Sequence, residues 1–115
     1  MNPVVLVGVG GVCGAVARYL VGERVPDRFG ATLVVNVCGS FALGAVLAAP
    51  VGDAAVLAAG TGFCGAFTTF STFAFETVRL FETGHRKRAL ANAVGTLVAA
   101  VIAVTAGSTA AGLVS

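Results

Sequence analysis

Charged residues are scarce in this sequence: they make up 10% of its 115 residues, against 57% for hydrophobic residues. Soluble globular proteins carry about 25% charged residues, and a small domain has a large surface to cover relative to its volume. The scarcity of charge therefore excludes an ordinary soluble domain. The formal net charge of +2 is small, and we predict no nucleic-acid partner.

Clusters of reactive or metal-binding residues are also missing. The three cysteines, Cys13, Cys38 and Cys64, lie inside apolar segments and form no CxxC pair. We interpret them as small packing residues rather than as a disulfide framework or a metal site. The sequence holds no acid–base pair, no nucleophile–base constellation and no metal cluster, so we predict that the protein is not an enzyme.

Long uncharged stretches are what the sequence has instead. Between Gly30 and Phe75 the only charged residue is Asp53, and residues 89–115 carry no charge. Because a helix needs roughly 20 apolar residues to cross a bilayer, we predict an all-α integral membrane protein. It forms a single four-helix transmembrane domain over residues 1–115. The predicted spans are about 4–21, 31–49, 54–75 and 90–113.

The basic residues predict an orientation in the cell membrane. Four spans place loops 22–30 and 79–89 on one side and both termini on the other. The two loops contain Arg24, Arg28, Arg79, Arg86, Lys87 and Arg88, and the other side has no basic residue. Since basic loops stay in the cytoplasm, we predict a multi-pass protein of the cell membrane with both termini outside.

Glycines in the third span match a nucleotide-binding fingerprint by spacing alone. Residues 60–65 read GTGFCG, a G-x-G-x-x-G match, but the fingerprint needs a βαβ unit. Four long apolar runs leave no room for such a sheet. In a membrane helix, Gly60, Gly62 and Gly65 are instead expected to weaken the helix and break it in the middle of the membrane.

Small and polar residues also occur at helical spacing in the first two spans. The pairs Gly10/Gly14 and Ser40/Gly44 are typical of helices that approach closely. Asn36 lies on the same face as Ser40 and Gly44. Asn36 and Ser40 are therefore candidates for an ion pathway, and the alternative is that Asn36 bonds to a neighbouring helix as a packing contact.

Two side-chain ladders follow the third span. On a continuous helix, four phenyl rings occupy one arc and three threonines the next, continuing to Glu76. No charged side chain lies deep in a span, so amide and hydroxyl donors and the positive ring edges are the groups available to an ion. This set favours a small anion, although Phe packing and Thr bonding to its own helix explain either ladder alone. The rings are Phe63, Phe67, Phe70 and Phe73, and the threonines are Thr68, Thr69 and Thr72.

Three stretches carry a resemblance to a known family. GGVCGAVARY (10–19), TLVVNVCGSFALG (32–44) and GFCGAFTTFSTF (62–73) resemble, in order, the motifs of the fluoride-channel family called Fluc or CrcB. The fourth span matches only loosely, with Asn92 and Thr96 as its polar face.

The resemblance implies a fluoride-selective channel that exports fluoride passively and protects the cell from its toxicity. Asn36 would line the pore, and Phe70 and Phe73 would present their ring edges to the anion. Thr72 would belong to a polar track, and Arg18 would draw anions to a pore mouth. Together these groups would replace the water molecules that hydrate the fluoride ion.

The resemblance also implies an assembly and a cofactor. Family members form antiparallel dimers with two narrow pores, and the broken third helix holds a structural sodium ion at the dimer centre. In this sequence the motif assigns that ion to the backbone carbonyls of Gly65 and Thr68.

The strong basic bias leads to a further hypothesis about the dimer. An antiparallel homodimer requires one chain to insert both ways up, and such chains should have little charge bias between their two faces. We therefore expect this chain to insert one way only and to pair, in the membrane lipid, with a homologue of opposite orientation. A homodimer remains the alternative.

Two rival classes share the size of this chain. A small four-helix proton-coupled exporter would need a carboxylate within the first span, but no acid precedes Glu23 there, and the chain has no Trp. A non-conducting accessory membrane subunit would not need the polar residues of the second and third spans.

Overall fold

The computed structural model describes residues 2–114, and nearly all of them are helical. Four stretches are long and apolar enough to cross a membrane, and the described residues contain no strand. The third stretch, Asp53–Glu82, is interrupted near its middle. The predicted all-α membrane architecture with a broken third span is confirmed. The helices are α1 (Pro3–Arg24), α2 (Arg28–Ala48), α3 (53–67), α4 (Phe70–Glu82) and α5 (Arg86–Val114).

Local capping groups fix where the helices begin. The Asn2 side chain accepts a hydrogen bond from the Val4 N–H at 2.8 Å, and Pro3 occupies the first helical position of α1. Asp27 accepts from the Phe29 N–H at 3.2 Å and starts α2 in the same way. Short polar side chains at these positions satisfy N–H groups that have no partner inside the helix.

The turn between α4 and α5 is built around Gly84. Its φ of 86° lies in the left-handed region that glycine adopts without strain. The Gly84 N–H donates to the Phe81 carbonyl at 3.2 Å and the His85 N–H to the Leu80 carbonyl at 2.8 Å, which is the Schellman pattern of a helix end. This turn returns α5 antiparallel to α4.

Glycines let α1 pack against α3. Gly10 and Gly14 are buried, and a Cβ added at Gly14 would lie 3.1 Å from the Phe63 Cα. From the other side, a Cβ at Gly62 would lie 2.7 Å from the Val7 carbonyl oxygen. The predicted close approach at Gly10 and Gly14 is confirmed, and its partner is the first half of the broken helix.

A second pair of glycines joins α2 to α5. A Cβ at Gly44 would lie 2.9 Å from the Val104 carbonyl carbon, and one at Gly107 would lie 2.8 Å from the Phe41 carbonyl carbon. Because each obstacle is backbone, neither helix can give way by moving a side chain. The protein is therefore two tightly packed helix pairs, with α4 lying against α5.

The glycines of the third span do not break it, which corrects the prediction from sequence. Residues 56–64 wind as a wider π-helix, and Gly65 has ordinary helical angles, φ −61° and ψ −38°. The chain leaves the helix at Thr68 and Thr69, where no glycine is present. Gly62 instead allows α1 to pack closely, because any side chain at this position would clash with the α1 backbone.

The break also divides the expected phenyl ladder. Phe63 and Phe67 stack with ring centroids 5.5 Å apart in α3, and Phe70 and Phe73 form a separate tilted pair, 6.0 Å apart, in α4. A single arc of four rings required a continuous helix, so this expectation is wrong.

The four helical stretches overlap the predicted spans 4–21, 31–49, 54–75 and 90–113. The third continues beyond residue 75 to Glu82, which brings Glu76 inside it.

Candidate functional site

The site is built around the two extended residues that interrupt the third span. Thr68 has φ −81° and ψ 162°, and Thr69 has φ −146° and ψ 117°. On one side, the Thr68 N–H and hydroxyl both donate to the Cys64 carbonyl, at 3.1 and 2.9 Å. On the other side, the Thr69 hydroxyl oxygen accepts from the Thr72 N–H at 3.1 Å. The two threonines thus cap the two helices that they separate.

Asn36 of α2 holds the interruption in place. Its side-chain oxygen accepts from the Thr69 N–H at 2.8 Å, and its side-chain nitrogen donates to the Thr69 carbonyl at 3.1 Å. One amide therefore satisfies both backbone polar groups of Thr69, a residue that lies outside both helices, as backbone in a membrane requires. One N–H of the Asn36 amide remains for another acceptor.

A cavity of about 550 Å³ opens beside the interruption. Its walls come from α2, both halves of the third span, and α5. No charged residue is part of the lining within residues 2–114. The polar lining residues are Asn36, Ser40, Thr61, Thr68, Thr69 and Thr96, and the large apolar ones are Leu43, Phe70, Phe73 and Leu97.

Most of the residues predicted for the site line this one cavity. Asn36, Ser40, Phe70 and Phe73 from the predicted pathway lie there, together with Gly65 and Thr68 from the predicted sodium site. The structure thus brings together residues from the second and third spans that lie far apart in sequence.

Two predicted pathway residues lie elsewhere. Thr72 does not line the cavity; it is half-buried in the first turn of α4, and its N–H is bound by Thr69. Arg18 is exposed on α1. Their proposed roles, in a polar track and at a pore mouth, stay predictions.

The two phenyl rings of the cavity differ in their surroundings. Their planes are inclined by 51° to each other, with the ring centres 6.0 Å apart. Phe73 is half-buried, whereas Phe70 is 80% exposed. A phenyl ring this exposed in a membrane protein is available to a further chain or to lipid.

The interruption releases backbone carbonyls beside the cavity. In a continuous α-helix the Thr69 N–H would donate to the Gly65 carbonyl, but it donates to Asn36 instead. The Thr72 N–H would donate to the Thr68 carbonyl, but it donates to the Thr69 hydroxyl oxygen. Carbonyl oxygens without their helical donors are suitable ligands for a hard cation, so the residues present fit a bound sodium ion.

Sequence reasoning missed one buried acid near the site. Glu76 of α4 is only 2% exposed, and neither carboxyl oxygen has a hydrogen-bond partner among the described residues. It follows Thr69 and Phe73 at helical spacing, which was the available signal. Because the third span was expected to end at residue 75, the acid was placed at its edge and not inside it.

The fourth span contributes more than its loose motif indicated. Thr96 is buried and lines the cavity. Asn92 donates to the Thr77 hydroxyl oxygen at 2.8 Å and joins α5 to α4. The polar face that the sequence showed therefore has one residue at the cavity and one in helix packing.

These features define a multi-pass helical membrane protein with an uncharged, donor-lined cavity at a broken helix. The chain belongs to the CrcB family: residues 5–108 match the family described as "CrcB-like protein, Camphor Resistance (CrcB)". The family predicted from the three motifs is thereby confirmed.

Several relatives carry the name of a fluoride channel. The chain is 56% identical over 101 residues to "Fluoride-specific ion channel FluC 2" of Natronomonas pharaonis, covering 88% of this chain and 87% of that one. It is 45% identical over 111 residues to "Fluoride-specific ion channel FluC" of Methanocaldococcus jannaschii, covering 90% of each. It is 43% identical over 114 residues to "Fluoride-specific ion channel FluC 2" of Moorella thermoacetica, covering 92% and 93%. These names are those of channels and agree with the prediction of a non-enzymatic protein.

Proposed function

We propose that this chain forms a fluoride-selective ion channel that lets fluoride leave the cell passively. The observation that carries the proposal is the cavity at the broken helix, which joins Asn36, Ser40, Phe70 and Phe73 in one uncharged lining. The names of relatives that share about half of the sequence support the choice of fluoride.

The hydrogen-bond pattern supports a choice of the groups that would replace the water around the anion. The Thr68 hydroxyl already donates to Cys64 and is not available. One Asn36 N–H, the Ser40 and Thr96 hydroxyls and the Thr69 hydroxyl hydrogen have no acceptor among the described residues. These donors come from α2, α4's N-cap and α5, so they reach the cavity from different sides.

The phenyl rings complete the coordination without adding charge. A ring edge carries partial positive charge, and Phe70 and Phe73 lie on the same wall. Because no Lys or Arg is fixed in the lining, the anion is bound by several weak donors and can leave again, as conduction requires. Thr72 extends the donor series along α4, and Arg18 raises the local anion concentration from α1.

Fluoride efflux from liposomes tests the proposal. Vesicles loaded with fluoride and holding this chain should release fluoride, read with an electrode, when potassium and valinomycin balance the charge. We expect no chloride release under the same conditions, because the relatives are named fluoride-specific and donor placement can set the selectivity of a channel. Equal chloride release would contradict selectivity. A folded protein that passes no anion, alone or with an oppositely inserted homologue, would support the accessory-subunit alternative.

We further propose that the carbonyls of Gly65 and Thr68 hold a structural sodium ion at the centre of a dimer. The support is that both carbonyls lose their helical donors at the interruption. The ion would supply positive charge that holds the released backbone in place of hydrogen bonds.

Sodium should therefore stabilise the folded protein. An ion that binds only the folded state adds about 2.7 kcal/mol at 100 times its dissociation constant. We expect the midpoint of thermal unfolding in detergent to rise with NaCl and not with N-methylglucamine chloride at equal ionic strength. Identical midpoints in the two salts would exclude a structural sodium site.

The assembly that we propose is an antiparallel dimer in the membrane lipid. Phe70 lines the cavity yet is 80% exposed, and a second chain placed against α4 would cover it. The Arg88 guanidinium lies 5.9 Å from the Phe29 ring, so the loops before α2 and before α5 meet at one end. This common basic end supports insertion with both loops in the cytoplasm, and pairing with a homologue inserted the other way.

Labelling of single cysteines measures the orientation. In a chain with its three natural cysteines replaced, V51C and H85C place thiols in exposed loops at opposite ends. A membrane-impermeant maleimide should label V51C on intact cells and H85C only after permeabilisation. Equal labelling of both sites on intact cells would show that the chain inserts both ways and would favour a homodimer.

A further inference from the structure

The two basic loops form one strongly charged surface, here called the basic end. It carries six basic and three acidic residues in loops 22–30 and 79–89. No ion pair joins these residues to one another anywhere in residues 2–114. The basic residues outnumber the acidic ones by three, so this surface has a net positive charge. The basic members are Arg24, Arg28, Arg79, Arg86, Lys87 and Arg88, and the acidic members are Glu23, Asp27 and Glu82.

Two of the guanidinium groups are held in place by aromatic rings. The Arg86 guanidinium lies 4.9 Å from the centre of the Phe81 ring, and that of Arg88 lies 5.9 Å from the centre of the Phe29 ring. A ring face attracts a cation without cancelling its charge. Both groups thus lie beside rings at this end of the chain, and their hydrogen-bond donors remain available to an external anion.

The electrostatics of α5 favour an external anion at the same place. Its first turn contains Arg86, Lys87 and Arg88 and no acidic residue. The N-terminus of a helix carries partial positive charge, so cations there are unfavourable. The Gly84 turn fixes this first turn close to the end of α4. A layer of negative charge outside the chain would remove this repulsion.

The apolar chain begins directly after these cations. Ala89 follows Arg88, and Leu90 is 67% exposed, as expected of a side chain that faces lipid. The three cations of α5 therefore stand at the level of the lipid headgroups and not far out in solution. Basic residues at this level attract anionic lipids.

We propose that the basic end binds the headgroups of anionic phospholipids, with the first turn of α5 as its centre. Arginine donates to a phosphate through two parallel N–H groups, which suits Arg86 and Arg88, and Lys87 adds a point charge. Such binding would anchor this end of the chain in an anionic leaflet independently of what passes through the cavity.

Spin-labelled lipids in reconstituted vesicles test the proposal. We expect the protein to hold phosphatidylglycerol about fivefold over phosphatidylcholine, the contribution of roughly one basic residue at an anionic surface. The variant R86Q/K87Q/R88Q should reduce this preference to below about twofold. The charge-conserving variant R86K/K87R/R88K should keep most of it. Because K87Q alters no ring contact, its partial loss of preference would support the proposal even if the triple variant misfolded.

The same assay distinguishes a lipid headgroup from free phosphate as the ligand of the basic end. Inorganic phosphate and NaCl are added at equal ionic strength, and both should weaken the preference equally by screening. Displacement of the labelled lipid by phosphate alone would identify free phosphate as the ligand and overturn the lipid assignment. An equal preference in the wild-type chain and in both glutamine variants would also overturn it.

Discussion

Replacing Asn36 with leucine should abolish most of the fluoride efflux while the chain still inserts and folds. Leucine has the same branched arrangement of four side-chain heavy atoms as asparagine but no polar atom. The variant loses the free N–H that we propose binds the anion, and both bonds to the Thr69 backbone. A hydrogen bond to a charged group contributes about 1.5–3 kcal/mol, and each 1.4 kcal/mol is tenfold, so we expect at least a tenfold loss of efflux.

The matched control for this variant is N92L. Asn92 is also a half-buried amide with one side-chain bond, to Thr77 at 2.8 Å, but it does not line the cavity. Its replacement should leave efflux within about threefold of the wild type, since it removes one neutral bond of about 1 kcal/mol. Equal losses in N36L and N92L, with both proteins monodisperse, would contradict a specific role of Asn36.

A second variant tests a donor of the cavity without disturbing the break. Ser40 lines the same cavity but makes no bond to the interruption, so S40A removes a donor and leaves the broken helix intact. We expect S40A to reduce efflux less than N36L and to unfold at the wild-type temperature. An unchanged efflux in S40A would remove Ser40 from the proposed pathway.

The spans could be predicted from the sequence because they depend on the distribution of charged residues along the chain. Long uncharged runs and basic loops depend only on neighbouring residues, and helical spacing placed Asn36 and Ser40 on one face. The rings Phe70 and Phe73 both line the cavity and lie in one regular helix, α4.

The position of the break could not be read in this way. Thr68 and Thr69 are no stronger helix breakers than Gly60 or Gly62 by propensity. What selects them is the bond from Asn36, which is 33 residues away, together with the hydroxyl caps on each side. Likewise, Gly62 lies within the helix and has no side chain, which leaves room for the α1 backbone. This requirement comes from another helix.

The largest expected effect on folding is at the crossing of α2 and α5. In G107A the new methyl would lie 2.8 Å from the Phe41 carbonyl carbon and 3.1 Å from the Ala45 nitrogen. Since both obstacles are backbone, the two helices must separate, and the contacts along their length are weakened together. Overpacking typically costs about 1–3 kcal/mol and occasionally more, and we expect G107A to lie at the upper end. The measurement is thermal unfolding in detergent, followed by circular dichroism.

Helix α5 also provides a control substitution, G95A, which should not lower the stability of the protein. A methyl added at Gly95 meets no atom within 4 Å, and alanine is the better helix former by about 1 kcal/mol. G95A should therefore unfold at the wild-type temperature or above it, whereas G107A should unfold well below. G44A tests the crossing from the α2 side, because its methyl would lie 2.9 Å from the Val104 carbonyl carbon. If G107A and G44A were both as stable as G95A, the stability of the protein would not depend on the close approach of α2 and α5.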